Sequence, residues 1–171
     1  MPGSAGRASK KEVLQVLTSI GTGATDELFC GPLPPRIRTT LVDVSPNPNE
    51  PSRPVSRVVC EMPVEKVDMV DEHDNVAVGC LTWLVDFLST LALVAQGAHQ
   101  SKDGDYVGVS QSLQFVFHGT APLGSKLRID NTCIALAGRT FSARTEIWDA
   151  SAERLICSAL HIKMPPSQPK L

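Results

Sequence analysis

Metal-ligand spacing is missing from this sequence. Its five cysteines, Cys30, Cys60, Cys80, Cys133 and Cys157, are odd in number and scattered, with no CxxC and no Cys/His grouping. That argues against structural zinc and for small buried thiols in a reducing compartment. An excess of charge is missing too. Lys and Arg number 16 against 18 Asp and Glu, so the overall field draws neither nucleic acid nor an anionic membrane, and an anionic ligand must meet a local basic cluster. There is no internal repeat, and no continuous apolar run at the N-terminus of the kind a secretory signal needs. What is present, 171 residues at 42% hydrophobic and 20% charged, suits one soluble domain with one core. The expected location is the cytoplasm. Arg7, Lys10 and Lys11, with no acid before Glu12, keep a mitochondrial presequence as the alternative.

The organising stretch is Gly79 to Gln96, GCLTWLVDFLSTLALVAQ. Leu81, Leu84, Val85, Leu88, Leu91, Ala92 and Ala95 trace one face of a helix. Trp83, Phe87, Leu93 and Val94 fill the others, so this helix is expected to be buried on several sides. One charge, Asp86, interrupts it. A carboxylate set in an apolar wall must find partners or gain basicity, because burying it unpaired costs several kcal/mol. The apolar part is short for a membrane span and carries that charge near its middle, which predicts a core helix rather than a span.

Around this helix the chain reads in order. An amphipathic helix covers Lys10 to Ile20, and a Gly/Pro loop leads to a strand over Ile37 to Val44. Pro46 to Pro54 holds four prolines, which excludes a helix or a central strand and predicts a surface connection between two strands. Val55 to Val64 resumes the sheet, and an acidic turn, Asp68 to Asn75, enters the central helix. From Tyr106 to His118 the residues alternate, with Leu113, Phe115 and Phe117 on one face and Ser110, Ser112 and Gln114 on the other. Lys126 to Ala135, Thr140 to Trp148 and Arg154 to Met164 are three more strands. A single apolar helix against an antiparallel sheet predicts the α+β class and a sheet curled about the helix, the hot-dog architecture. The divisions expected are an N-terminal helix and loop over 1–36, the main domain over 37–164 and a loose tail over 165–171.

The run Leu81 to Leu93, LTWLVDFLSTLAL, resembles the helix of the PaaI-like hot-dog acyl-CoA thioesterases. It is close to the animal acyl-CoA thioesterase 13 type, where a similar LVDxxSTxAL appears. The likeness continues through VVCEMPV (Val58 to Val64), GVSQSLQFVFHGTAPLG (Gly108 to Gly124), AGRTF (Ala137 to Phe141) and ERLICSALHIK (Glu153 to Lys163).

The resemblance implies hydrolysis of an acyl-CoA at a site shared between two subunits of a homodimer or tetramer. No metal and no bound organic cofactor are implied, coenzyme A being part of the substrate. Asp86 matches the helix carboxylate that acts as general base or nucleophile. Ser110 matches a strand serine supplied by the other subunit, and the N–H of Gly79 matches the donor that polarises the thioester carbonyl. For substrate binding the matching positions are Asn75, Phe117, His118 and the turn Gly138, Arg139 and Thr140, with Arg139 the phosphate contact. One departure stands at the helix entry, where the family has His-Gly-Gly and this chain has Ala77-Val78-Gly79. That departure supports a second reading, a non-catalytic module that binds an acyl-CoA or acyl-carrier thioester or scaffolds a partner.

Overall fold

The computed structural model describes residues 6–23, 30–66, 69–100 and 106–165. The expected tail, apart from Pro165, lies outside the described residues. Helix α1 (Arg7–Gly23) runs past both ends of the sequence estimate. After a short 3-10 turn at Pro34–Arg36 come β1 (Arg38–Asn47), β2 (Glu50–Pro63), α2 (Val78–His99), β3 (Val109–Phe117), β4 (Lys126–Ala137), β5 (Thr140–Asp149) and β6 (Arg154–Met164). The six strands form one antiparallel sheet in the order β1-β2-β4-β5-β6-β3. Helix α2 lies in the hollow of that sheet.

The proline segment departs from expectation. It is not a free connection: β1 and β2 run through it as a hairpin, with Pro46 opposite Pro54 and the chain turning between Asn47 and Glu50. The reason lies in the neighbours. Pairing of β2 with β4 begins only at Arg57, and β1 is an edge strand, so every proline sits where the ribbon has a single partner and a missing N–H breaks no second ladder.

The core sits between α2 and the sheet. Leu84, Leu88, Leu91 and Leu93 on the helix, and Met62, Leu127, Ile129, Ile147 and Ile156 on the strands, are fully buried. Helix α1 closes the other side of α2, with Val13 buried in the same core and Val16 and Leu17 packed on it. At 22 residues α2 is long and apolar enough to cross a bilayer, but 67% of its most apolar window is buried inside this structure, the burial that a core helix requires. All five cysteines are buried and outside any disulfide. Burial pushes the Cys60, Cys80 and Cys133 thiols up to about 12 and that of Cys157 to about 11, so they stay protonated and inert.

Candidate active site

A helix apolar on all sides has to be covered on all sides, and α2 is not. It packs on β1, β2, β4, β5, β6 and α1, and among the described residues the part of its N-terminal half that is not buried is one stripe: Val78, Gly79, Thr82, Trp83, Asp86 and Phe87. Their spacing of three, four and seven marks one helix face. The stripe looks toward β3, which stands at the edge of the sheet beyond the helix. Asp86, expected within an apolar wall, therefore has a side chain 51% exposed. Its position on the open stripe avoids the cost of burial that the sequence raised.

The alternation expected for β3 also fails, at one residue. Ser110 pairs with Lys163 but Ser112 pairs with Ile162, so Gln111 is the extra residue of a bulge. A bulge shifts the phase of a strand and re-aims the side chains on one side of it. Ser110 thus joins Leu113, Phe115 and Phe117 on the inner face instead of opposing them. There its hydroxyl donates to Asp86 Oδ1 at 2.8 Å. The resemblance assigns this serine to the other subunit, whereas the structure joins Ser110 to Asp86 within one chain.

A third residue completes the contact, and the sequence reading missed it. The imidazole of His161, on β6, is fully enclosed. Its Nε2 lies 3.0 Å from Ser110 Oγ and 3.5 Å from Asp86 Oδ1, and its Nδ1 lies 2.7 Å from Ser89 Oγ on α2. Burial, then the Lys163 ammonium, push the ring down to about 4 against the pull of Asp86, so it is neutral near pH 7. Lys163, the next inward residue of β6, is buried and donates to Thr90 Oγ1 at 2.8 Å, while Thr90 shares its hydroxyl with the Asp86 backbone carbonyl. The neighbours of Asp86 on its own helix are thus engaged elsewhere, and its carboxylate is left to β3 and β6. Two successive inward positions of a strand filled by His and Lys were the signal available in the sequence.

The other expected residues divide between the two ends of this trough. The first bond of the α2 ladder runs from Leu81 N–H to Ala77 O, and Ala77 makes no side-chain cap. The N–H of Gly79 therefore precedes the ladder and is open to an acceptor. It stands about 10 Å along the axis from Asp86, on the same face. Asn75 is at that end, where its backbone bridges to Pro122, but its amide is spent on the loop itself, donating to His73 O at 3.2 Å. Phe117 and His118, at the end of β3, are on the same side. Phe117 is 46% exposed and stacks on Phe115, with centroids 5.7 Å apart, and His118 meets Ser158 at 2.9 Å. Gly138, Arg139 and Thr140 form the exposed β4–β5 turn beyond the opposite end of β3, the end where Val109 pairs with Met164. From Ser110 to Phe117 the strand spans about 23 Å, so Arg139 and Phe117 do not meet in one chain.

No protein-family model matches the chain, and no curated protein matches it. Solved structures do. Zebrafish thioesterase superfamily member 2 superposes with a TM-score of 0.67 at 19% identity, over 89% of this chain and 94% of that one. The fold is the hot dog. A hypothetical thioesterase from Streptococcus pneumoniae, solved with coenzyme A, shares this hot-dog fold at TM-score 0.56 and 21% identity, over 67% of this chain and 84% of its own. The PaaI protein of Escherichia coli gives 0.57 at 13% identity, covering 91% and 92%. The neighbours are therefore those of the PaaI-like thioesterase resemblance, at identities that establish the hot-dog fold alone.

Proposed function

We propose that this hot-dog protein is an acyl-CoA thioesterase in which Asp86 acts as general base on water, or as nucleophile. One observation carries the reading: the one carboxylate of an otherwise apolar helix lies on the exposed stripe of its N-terminal half, its side chain half open and one oxygen anchored by Ser110. The Ser110 hydroxyl holds Oδ1, which leaves Oδ2 to take a proton from water or to attack the thioester carbon. Gly79 N–H, at the positive end of the α2 dipole, supplies a donor for the oxyanion. With Asp86 as base, water gives it a proton and attacks the thioester carbon. With Asp86 as nucleophile, a mixed anhydride forms and water then opens it. In both, the coenzyme A thiolate leaves and takes up a proton that water supplies, and the free acid is released. No metal step enters this scheme.

The same reading makes the protein a homo-oligomer. Edge strand β3 exposes Val109, Val116 and Phe117 at 53%, 58% and 46%, and an unpaired apolar edge is a template for pairing with a strand of a second chain. A second copy there would roof the trough and bring its own β4–β5 turn, with Arg139, toward the nucleotide. Asp86 and Ser110 belong to one chain in this arrangement, so mixing Asp86→Asn with Ser110→Ala subunits should regain no activity. Recovery after subunit exchange would move Ser110 to the partner site.

Release of free thiol from short, medium, long-chain and aryl acyl-CoAs tests the reading. Turnover by the native protein that drops about a hundredfold or more in Asp86→Asn supports it. A folded native protein inactive on every thioester sinks it in favour of the binding module, which the Ala77-Val78 entry favours.

A further inference from the structure

We propose that His161 is a positioning residue, held as the neutral Nε2–H tautomer by Ser89 so that Ser110 must give its single proton to Asp86. This rests on the hydrolase reading for its catalytic meaning, while the direction of the hydrogen bonds follows from counting protons. A carboxylate oxygen only accepts, so the Ser110 hydroxyl donates to Asp86. That hydroxyl then has no second proton for His161, so Nε2 carries one and donates to Ser110 Oγ over 3.0 Å. A neutral ring with Nε2–H has a bare Nδ1, which accepts from Ser89 over 2.7 Å. Every donor in the series points toward Asp86.

The direction decides what these three residue types can do. In a serine nucleophile the hydroxyl donates to imidazole and the carboxylate holds the other ring nitrogen. Here the hydroxyl donates to the carboxylate, and the other ring nitrogen is held by a second serine. His161 cannot draw the proton from Ser110, so Ser110 is an orienting donor and Asp86 the reacting group. The charged groups facing His161 are Asp86 from α2 and Lys163 from its own strand; Leu113 on β3 and Ala143 on β5 are its apolar cross-strand neighbours. Lys163 opposes a second positive charge beside it and so keeps the ring neutral.

Nitrogen-15 NMR of the full-length protein labelled in histidine reads the direction without any turnover. Of the four histidines, the signals lost in His161→Gln identify the residue. A protonated Nε2 and a bare Nδ1 at neutral pH are expected; an Nδ1–H ring or a charged one overturns the proposal. Kinetics read the consequence. Ser89→Ala should lower kcat about tenfold, the worth of one hydrogen bond, with KM unchanged. Because Ser89 acts only through Ser110, the same change in a Ser110→Ala background should cost nothing further, and an additive loss overturns the relay. His161→Gln, whose amide can donate to Ser110 and accept from Ser89, should retain more kcat than His161→Leu. Equal loss from both would mark a purely packing role. Should the tautomer be found and no thioester be cleaved, the hydrolase reading fails while the hydrogen-bond direction stands.

Discussion

Two sides of one helix divide this molecule. The closed side of α2 carries Leu84, Leu88 and Leu91, fully buried in the core between the sheet and α1, while the open side carries Thr82, Trp83, Asp86 and Phe87. Both sides are rich in apolar residues, so hydrophobicity alone does not separate core from site. What separates them is the reach of the sheet: β3 extends past the helix and leaves part of its inner face, Phe117 above all, open. A carboxylate is tolerated only on that side, since on the other it would be stranded at a cost of several kcal/mol.

Substitutions on the two sides should therefore fail differently. Leu88→Ala opens a cavity with no room to collapse and should lower unfolding free energy by about 2–5 kcal/mol, while activity per folded molecule stays close to native. Asp86→Asn should do the reverse, moving stability by no more than about 0.5 kcal/mol and abolishing most of the turnover. Denaturant titration beside thiol release checks both. A stability loss at Asp86 as large as at Leu88 would erase the distinction.

Acid should probe the boundary between the sides, where His161 is enclosed. The unfolded chain takes up a proton on this histidine near pH 6.5, the folded protein only near 4. Its folded value is depressed, so its contribution to stability is present above pH 6.5 and is lost as the pH falls toward 4, to a total of about 3 kcal/mol. His161→Gln has no such proton. The difference in stability between the two proteins should narrow over that window by about this amount, and parallel pH curves would show that the ring titrates normally.

Much of this was legible in the sequence, and the rest was hidden for definite reasons. The helix period of Leu81 to Ala95 and the branched, alternating strands gave the hot-dog layout, and the lone charge gave Asp86. The phase of Ser110 was hidden because a bulge at Gln111 leaves no mark on composition. His161 was hidden because β6 is apolar on both faces: Leu160 and Ile162 point outward while Cys157 and Ala159 point inward, so alternation does not show which side a polar residue takes. The β1–β2 hairpin was misread because a proline penalty depends on how many neighbours a strand has, which is a property of the sheet.

The smallest expected effect tests whether the trough extends beyond its own chain. Arg139 is fully outside the core, in a turn that needs Gly138 at φ +61, so Arg139→Ala should leave folding and kcat unaltered. A guanidinium meeting a nucleotide phosphate at the surface contributes up to about 1 kcal/mol, so KM for an acyl-CoA should rise about two- to fivefold at low salt. The rise should shrink at high ionic strength, as screening of an exposed pair demands. A pantetheine thioester, which lacks the nucleotide phosphates, should show no dependence on Arg139. An unchanged KM for acyl-CoA at low salt would remove this turn from the site. The trough would then end with the open side of α2, and the phosphates would have to be met by other cations.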